Sequence, residues 1–429
     1  MNVLVVGSGG REHAIVKSLL KSPGLDKLYC APGNAGIALD CERVDIGAME
    51  FDSLADFAAG HDIGLTVVGM DDPLIGGIVD VFEARGLKIF GPRKNAAILE
   101  GSKAFSKELM EKYDIPTGKF KVFDNRDEAL SYLGQSSFPV VVKADGPALG
   151  KGVIICNDKD EAEGAVSTIM EERKFGSSGD RIVIEEFLTG PEVSVLTFTD
   201  GETIRVMSSS QDYKRAYTGN KGPNTGGMGN YSPVPFFDEK TEKWCMDHIF
   251  MPTVRAMSAE GRPFSGVIFF GLIMTKSGPK VLEYNARFGD PETQVILPRM
   301  KNDLLEVFLA CAEGRLSDVE LEFSDKAAVC VILSSSGYPL SYEKGFRIDG
   351  LDRAAEQEDT FVFHAGTGLK DGEIVTNGGR VLGVTALGAD IREAREKAYK
   401  GASLIDFSGK YMRQDIASDI IREISWDTE

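Results

Sequence analysis

At 429 residues, 42% hydrophobic and 27% charged, the chain has the composition of a soluble globular protein and is too long for one ordinary domain. Its formal net charge of -18 excludes a nucleic-acid groove as the main surface, because phosphate backbones require basic faces; small local anion sites remain open. The six cysteines (Cys30, Cys41, Cys156, Cys245, Cys311, Cys330) include no CxxC pair, and the four histidines no HExxH or HxH spacing, which argues against zinc and for buried free thiols in a reducing compartment.

In chain order, "NVLVVGSGGREHAIVKSLL" predicts a buried strand, a glycine turn and a helix. "GLTVVGMDDPL" and "GLKIFGP" predict further apolar strands, with "FDSLADFAAG" and "LIGGIVDVFEARG" as helices. This alternation indicates a parallel α/β domain over about 1–101. The pattern then changes. "SKAFSKELMEKYD" is a helix capped by Ser102, and "FPVVVKADGPALGKGVIIC" is two apolar strands joined by a glycine-containing loop. A helix at "DEAEGAVSTIMEER", a strand at "RIVIEEFL" and a hairpin turning at Asp200-Gly201 follow, then the strand pair "SGVIFFGLIMTKSGPKVLEYNARF". Hairpins mixed with helices mean an α+β unit over 102–315, with a flap of about 119–190. The last segment, 316–429, carries the strands "AAVCVIL", "TFVFHAG" and "GGRVLGVTALG" and the helix "DIREAREKAYKGASLI". The expected fold class is therefore α/β and α+β multidomain, a central unit flanked by an N-terminal parallel α/β domain and a C-terminal α/β cap. The longest apolar run, "FSGVIFFGLIM", falls short of the roughly 20 residues that span a bilayer, and the N-terminus lacks a basic signal-like region; a cytoplasmic protein is expected.

Four stretches carry chemistry. "GSGGREH" resembles a dinucleotide fingerprint, but Glu12 stands where the third glycine belongs and no ribose-binding acid ends the next strand. A glycine turn opening a helix can still offer N–H groups to an anion, or it can be a tight turn with no ligand. "KADGPALGKGV" is not a P-loop, because three residues rather than four separate Gly146 from Gly150-Lys151-Gly152 and a strand follows. It reads as a hairpin flap, and Lys143 in an apolar run requires a partner, which an anionic ligand would supply. "IVIEEFLTGPEVS" ends a strand in Glu185-Glu186, which suits either a purine-reading edge or a solvated acidic end. In "EYNARFGDPETQ", strand alternation places Glu283, Asn285 and Arg287 on one face and Tyr284, Ala286 and Phe288 on the other. A carboxylate and an amide oxygen suit Mg²⁺, and the arginine suits a phosphoryl group in transfer.

Strand–flap–strand with lysines, an acidic strand end and E-x-N-x-R on a late strand resemble the ATP-grasp superfamily. Within it, "VLVVGSGGREHA", "APGNAG", "LEGSKAFSK", "QDYKRA", "GPNTGGMG", "RFGDPETQ" and "TNGGRVLGVTALG" are similar, in collinear order, to the phosphoribosylamine–glycine ligase family. The resemblance implies a ligase that joins glycine to 5-phosphoribosylamine through glycyl phosphate, using ATP, in purine biosynthesis. It implies ATP contacts from Lys103, Lys143, Gly150, Lys151 and Gly152, adenine held by Glu185, Glu186, Phe187 and Leu188, and ribose by Glu192. Glu283 and Asn285 would bind Mg²⁺ or Mn²⁺, and Arg287 would stabilise the transferred phosphoryl. Asp212, Lys214, Arg215, Asp290, Pro291 and Glu292 would line the amine and glycine site. Gly9, Gly10, Arg11, Asp71, Pro73, Asn377, Gly378, Gly379 and Arg380 would close around the ribose phosphate. Its partners would be small molecules only, without nucleic acid or membrane, and a monomer is expected. Asp71 stands where the family commonly has glutamate, and Tyr213 where histidine is common. Competing readings are an NAD-linked oxidoreductase built on "GSGGREH", a nucleotide-binding protein without turnover, and an ATP-grasp ligase for another carboxylate.

Overall fold

Val3 to Val6 are apolar on both faces and wholly buried, and they form the middle of a five-stranded parallel sheet, as a strand covered on both sides should. In the computed structural model, which describes residues 1–146 and 152–421, this sheet comprises β1 (Asn2–Gly7), β2 (Lys27–Pro32), β3 (Glu42–Arg43), β4 (Ile63–Val68) and β5 (Ile89–Phe90). The order β3-β2-β1-β4-β5 reverses direction between β1 and β4, so a crevice opens at their carboxyl ends. Gly9 to Arg11 leave β1 there, and Asp71 begins the helix Asp71–Gly76 after β4.

The flap sheet is antiparallel, with β6 (Phe120–Phe123), β7 (Val140–Ala144), β8 (Val153–Cys156) and β9 (Ile182–Glu186) in the order β6-β9-β7-β8. It has its own hydrophobic cluster, in which Val142, Ile182 and Ile184 meet Ala162, Val166 and Ile169. Facing it is a second antiparallel sheet, β11-β10-β16-β17, built from β10 (Glu192–Thr199), β11 (Ile204–Val206), β16 (Gly266–Thr275) and β17 (Gly278–Asn285). Asp200 accepts from the Glu202 and Thr203 amides in the β10–β11 turn, where Gly201 takes φ +97°.

The final sheet departs from simple chain order. β12 (Gln211–Asp212) and β15 (Gly229–Ser232), with the hairpin β13 (Arg215–Tyr217) and β14 (Lys221–Asn224) between them, come from the middle of the chain. They join β18 (Ala327–Ser335), β19 (Thr360–His364) and β22 (Arg380–Gly388) in the order β12-β15-β18-β22-β19, and β23 (Lys410–Tyr411) pairs with β18. The short hairpin β20 (Thr367–Lys370) and β21 (Glu373–Thr376) stands apart. Strands of two residues carry too little periodicity to be read from sequence, and long-range pairing is what makes them strands. Among the described residues no helix is long and apolar enough to cross a membrane.

Two histidines clasp the first sheet to the last. His13, on the helix Gly10–Leu19, lies 2.7 Å from Asp40 through Nε2, and the His364 amide donates to its Nδ1 at 2.7 Å. Nδ1 is thus an acceptor, so the proton sits on Nε2 and the ring is neutral. Asn34 extends the clasp, donating to Ser8 and His364 carbonyls at 2.8 Å each. Burial lowers both imidazoles, His364 to about 3. The unfolded chain takes up these protons near pH 6.5 and the folded chain does not, so this stability is complete above 6.5 and is lost as pH falls below it, at up to about 1.4 kcal/mol per histidine per pH unit. Urea denaturation between pH 7 and 4.5 is expected to show the fall, and replacing both histidines by glutamine is expected to flatten it. A flat wild-type profile would contradict the clasp.

Candidate functional site

The crevice of the first sheet, the two facing antiparallel sheets and the last sheet meet at one cleft of about 620 Å³. Arg11 and Asp71 reach it from the first sheet, Lys143 and Glu185 from the flap, Glu283, Asn285 and Arg287 from the end of β17, and Arg380 from β22.

The glycine turn after β1 is not an open anion cradle. Glu12 is buried, and its carboxylate accepts the Gly9 amide at 2.6 Å and pairs with Arg11 Nε at 2.6 Å. A Cβ on Gly69 would stand 2.3 Å from Glu12 Oε1, so that glycine makes room for this side chain. The residue that breaks the dinucleotide fingerprint therefore fills the space a pyrophosphate would need. Arg11 is turned into the cleft, donating to the Phe288 carbonyl at 3.0 Å. Burial opposes its charge, but Glu12, Asp290 and Asp71 outweigh burial and raise its pKa. Gly10 is packed against the Gln294 amide.

The alternation expected of "EYNARF" holds in burial beyond the end of the strand. Tyr284, Ala286 and Phe288 are buried, whereas Glu283, Asn285 and Arg287 are half-buried and line the cleft, which Tyr284 also touches. The β16–β17 register slips between Gly271 and Leu272, leaving Leu282 as the extra residue of a bulge. Its carbonyl receives Lys143 Nζ at 3.3 Å. Lys143 also pairs with Glu185 at 2.9 Å, and Lys107 holds the other oxygen of Glu185 at 2.7 Å. All three side chains are under 10% exposed, so the carboxylate is a buried counter-ion between two lysines rather than a solvated strand end. Burial pushes Lys107 down to about 8, with Glu185 opposing it. Lys103 donates to the Gly146 carbonyl at 3.0 Å, and burial lowers its pKa too. Around Glu283, burial is outweighed by Lys214, Lys143, Lys103 and Arg287, which keep the carboxylate ionised by holding its pKa below the ordinary value.

The other end of the cleft mixes signs. Arg380 pairs with Asp290 at 3.2 Å, and Asp290 also accepts from Gln294 at 2.8 Å. Asp212 and Glu292 are pushed up by burial, and for Asp212 the Glu292 charge adds to that push. Asp212 Oδ1 is buried without a hydrogen-bond partner. Two carboxylates so placed suit an ammonium group or a shared proton.

Several expected residues stand away from the cleft lining. Arg215 donates to the Gly222 carbonyl and braces the β13–β14 hairpin. Glu186 pairs with Lys280, Phe187 is exposed, Leu188 is half-buried, and Glu192 pairs with Lys214 at 3.0 Å. Pro73 is buried within its helix, and Pro291 follows a cis peptide and packs near Gly227. Of the Asn377–Arg380 run only Arg380 lines the cleft; Asn377 and Gly379 make backbone bonds to Gly366 and Ser335, and Gly378 lies against Gly366. Gly152 lines the cleft, while Gly150 and Lys151 lie outside the described residues.

Sequence reasoning missed Glu100, Lys107 and the Tyr338–Tyr342 loop, all on the cleft. The two charges sit in helical stretches where a charged residue ordinarily faces water, and the loop carried only its two tyrosines as a signal.

Among the described residues no group of three or more His, Cys, Asp or Glu could hold a metal ion. Glu283 and Asn285 nonetheless fit a hard cation, as an ionised carboxylate and an amide oxygen on one face of the cleft. Such a set is what Mg²⁺ takes when substrate phosphates complete its shell.

The chain matches the N domain of phosphoribosylglycinamide synthetase over residues 1–100, its ATP-grasp (A) domain over 101–293 and its C domain over 328–419. It is 53% identical to a phosphoribosylamine–glycine ligase of Caldanaerobacter subterraneus subsp. tengcongensis, over 97% of this chain and 100% of that protein. A ligase of the same name from Yersinia pestis is 48% identical over 97% and 98%. The crystal structure of phosphoribosylamine–glycine ligase from Thermotoga maritima superposes with a TM-score of 0.85 at 34% identity, covering 97% of this chain and 100% of that one. A biotin carboxylase from Campylobacter jejuni, at 14% identity and a TM-score of 0.72 over 96% and 92%, shares the fold alone.

Proposed function

Because the chain belongs to the phosphoribosylglycinamide synthetase family, we propose a residue-level account of how its cleft performs that family's reaction. The chain is an ATP-dependent ligase that joins glycine to 5-phosphoribosylamine, giving glycinamide ribonucleotide, ADP and phosphate in de novo purine biosynthesis.

A carboxylate is a poor acyl donor, so glycine must first be activated. A glycine carboxylate oxygen attacks the γ-phosphorus, the bond to ADP breaks, and glycyl phosphate forms. The amine of phosphoribosylamine then attacks the acyl carbon, phosphate leaves, and the nitrogen gives up a proton. Such transfer needs positioning and charge neutralisation rather than a protein nucleophile. Lys103 and Lys143 meet the ATP phosphates, a role also given to Gly150, Lys151 and Gly152, and Arg287 meets the γ-phosphoryl as it moves. Glu185, Glu186, Phe187 and Leu188 form the adenine edge and Glu192 the ribose contact. Mg²⁺ or Mn²⁺ held by Glu283 and Asn285 would neutralise phosphate charge. Asp212 and Glu292 offer two acids to the glycine ammonium, beside Lys214 and Asp290, with Arg215 bracing the hairpin next to them. Arg11 and Arg380 receive the ribose phosphate and Asp71 accepts a ribose hydroxyl, on backbone shaped by Gly9, Gly10, Pro73, Pro291 and Asn377 to Gly379. Residues 1–101 and 316–429 supply the phosphoribosylamine side, and 102–315 the nucleotide side. All six cysteines are free, in keeping with a cytoplasmic enzyme, and we take it to be a monomer.

The observation that carries this reading is the convergence of Lys103, Lys143, Glu283, Asn285 and Arg287 on one cleft. A coupled ADP assay with glycine and freshly made phosphoribosylamine tests it. ADP release is expected to need both, to stop with excess EDTA, and to return with Mg²⁺ or Mn²⁺. Equal release with another small carboxylate, or undiminished release after chelation, would refute the account.

A further inference from the structure

The pairing of β17 with β16 ends at Asn285, opposite Phe269, so the sheet no longer supports the backbone that carries Arg287. Glu100, near the end of the helix Lys94–Gly101, takes over. One of its carboxylate oxygens accepts the Ala286 amide at 2.8 Å, and the other accepts Arg287 Nη2 at 2.8 Å. Arg287 Nη2 also donates to Asn285 Oδ1 at 3.1 Å, and Nη1 to the Phe288 carbonyl at 3.1 Å. Two consecutive residues are thereby held by one carboxylate, and Arg287 reaches Asn285 and Phe288 beside it. Arg287 Nε is buried and has no hydrogen-bond partner.

An anchor is needed here because Arg287 has rivals for its charge. The Asp71 and Glu292 carboxylates both feel its field. A long, flexible arginine without a fixed partner would be drawn to either, away from Asn285. Glu100 offers two parallel constraints, one on the side chain and one on the backbone, and it is only 10% exposed, so water competes weakly for it. Lys103 lies three residues further on, beyond the Ser102 cap that accepts the Phe105 amide. The same short connector thus sets an anchor for Arg287 and a cation of the phosphate site.

We propose that Glu100 is the positioning residue of phosphoryl transfer, holding the Arg287 guanidinium toward the γ-phosphoryl of ATP. The inference rests on the role given to Arg287 above. Glu100 touches no reacting atom and acts through Arg287.

Glu100→Gln keeps size and one acceptor but turns a donor toward Arg287 Nη2 or the Ala286 amide. It is expected to lower kcat for glycine-dependent ADP release about 10–100-fold, the usual scale for losing a supporting partner, with the KM for ATP changed less than about threefold. Glu100→Asp, which keeps the charge, should recover part of the loss. The deciding measurement is the cycle with Arg287→Ala: once the arginine is gone, Glu100→Gln should lose most of its effect, with only the Ala286 contact left to disturb. If Arg287→Ala is itself near wild type, the role of Arg287 is wrong and this inference falls with it. If Arg287→Ala is severe while Glu100→Gln is harmless, or if the two losses multiply, only the inference about Glu100 is overturned. Should Glu100→Gln fail to fold, the same cycle with Glu100→Asp gives the decision.

Discussion

Glycine- and phosphoribosylamine-dependent ADP release is expected to fall about 10²–10³-fold when Glu283 is replaced by glutamine, the scale for removing one preorganised electrostatic contact from a site. The substitution keeps the shape and one acceptor oxygen but removes the charge and turns a donor toward the neighbouring cations. Four cations, Lys214, Lys143, Lys103 and Arg287, bias this position toward the ionised state. Lys214 sits between Glu192 at 3.0 Å and Glu283 at 3.7 Å, so without the second carboxylate it is free to swing wholly to the first. In the proposed arrangement a hard cation would also lose its single charged ligand on β17. Steady-state assays across a Mg²⁺ titration separate these effects. Recovery at high Mg²⁺ means weakened metal binding, and persistent loss means misplaced cations. Activity within a few fold of wild type at all Mg²⁺ levels would rule out Glu283 as the central anion of the site.

The second large effect concerns stability. Glu185 lies between Lys107 and Lys143, at 2.7 and 2.9 Å, with all three side chains under 10% exposed. Breaking a buried ion network from one side leaves the remaining charges unpaired, at a cost of about 3–5 kcal/mol. Glu185→Gln should therefore lower the unfolding free energy by about that much in urea. Nucleotide should restore part of it, because triphosphate oxygens give Lys143 a new partner and a ligand that binds only the folded state stabilises it. A loss below about 1 kcal/mol would show that the lysines are not held by this carboxylate, and no recovery with ATP would count against Lys143 as a phosphate ligand. In the proposed arrangement Lys143 can turn to phosphate because Lys107 keeps its resting partner.

What could be read directly from the chain was whatever local periodicity encodes. The doubly buried run at Val3–Val6 had to be an inner parallel strand, because apolar side chains on both pleat faces need cover on both. The alternation of Glu283, Asn285 and Arg287 put three polar groups on one side, because strand geometry has period two. Lys143 could be singled out because an ammonium in an apolar run needs a counter-ion. That its resting counter-ion would be Glu185 was not legible, since some forty residues separate them and only the β7–β9 pairing brings them together.

The remaining features depend on contacts between distant segments. Glu100 and Lys107 stand in ordinary amphipathic helices, and nothing in their neighbours distinguishes a buried charge from a solvated one. β12 and β15 are too short to signal themselves, yet they carry Asp212 to the cleft by pairing into a sheet whose other strands begin a hundred residues later. Arg380 was within reach of sequence, but its partner Asp290 lies ninety residues earlier and meets it only because β22 and the turn after β17 end at the same cleft. By itself, then, the sequence determined the longer elements, the strand faces and the residue types suited to phosphate, metal and amine, because these follow from backbone geometry and side-chain chemistry over a few residues. Tertiary structure alone decided which charges are buried together and which side chain fixes Arg287, because burial and ion pairing depend on distances between segments that local order does not encode.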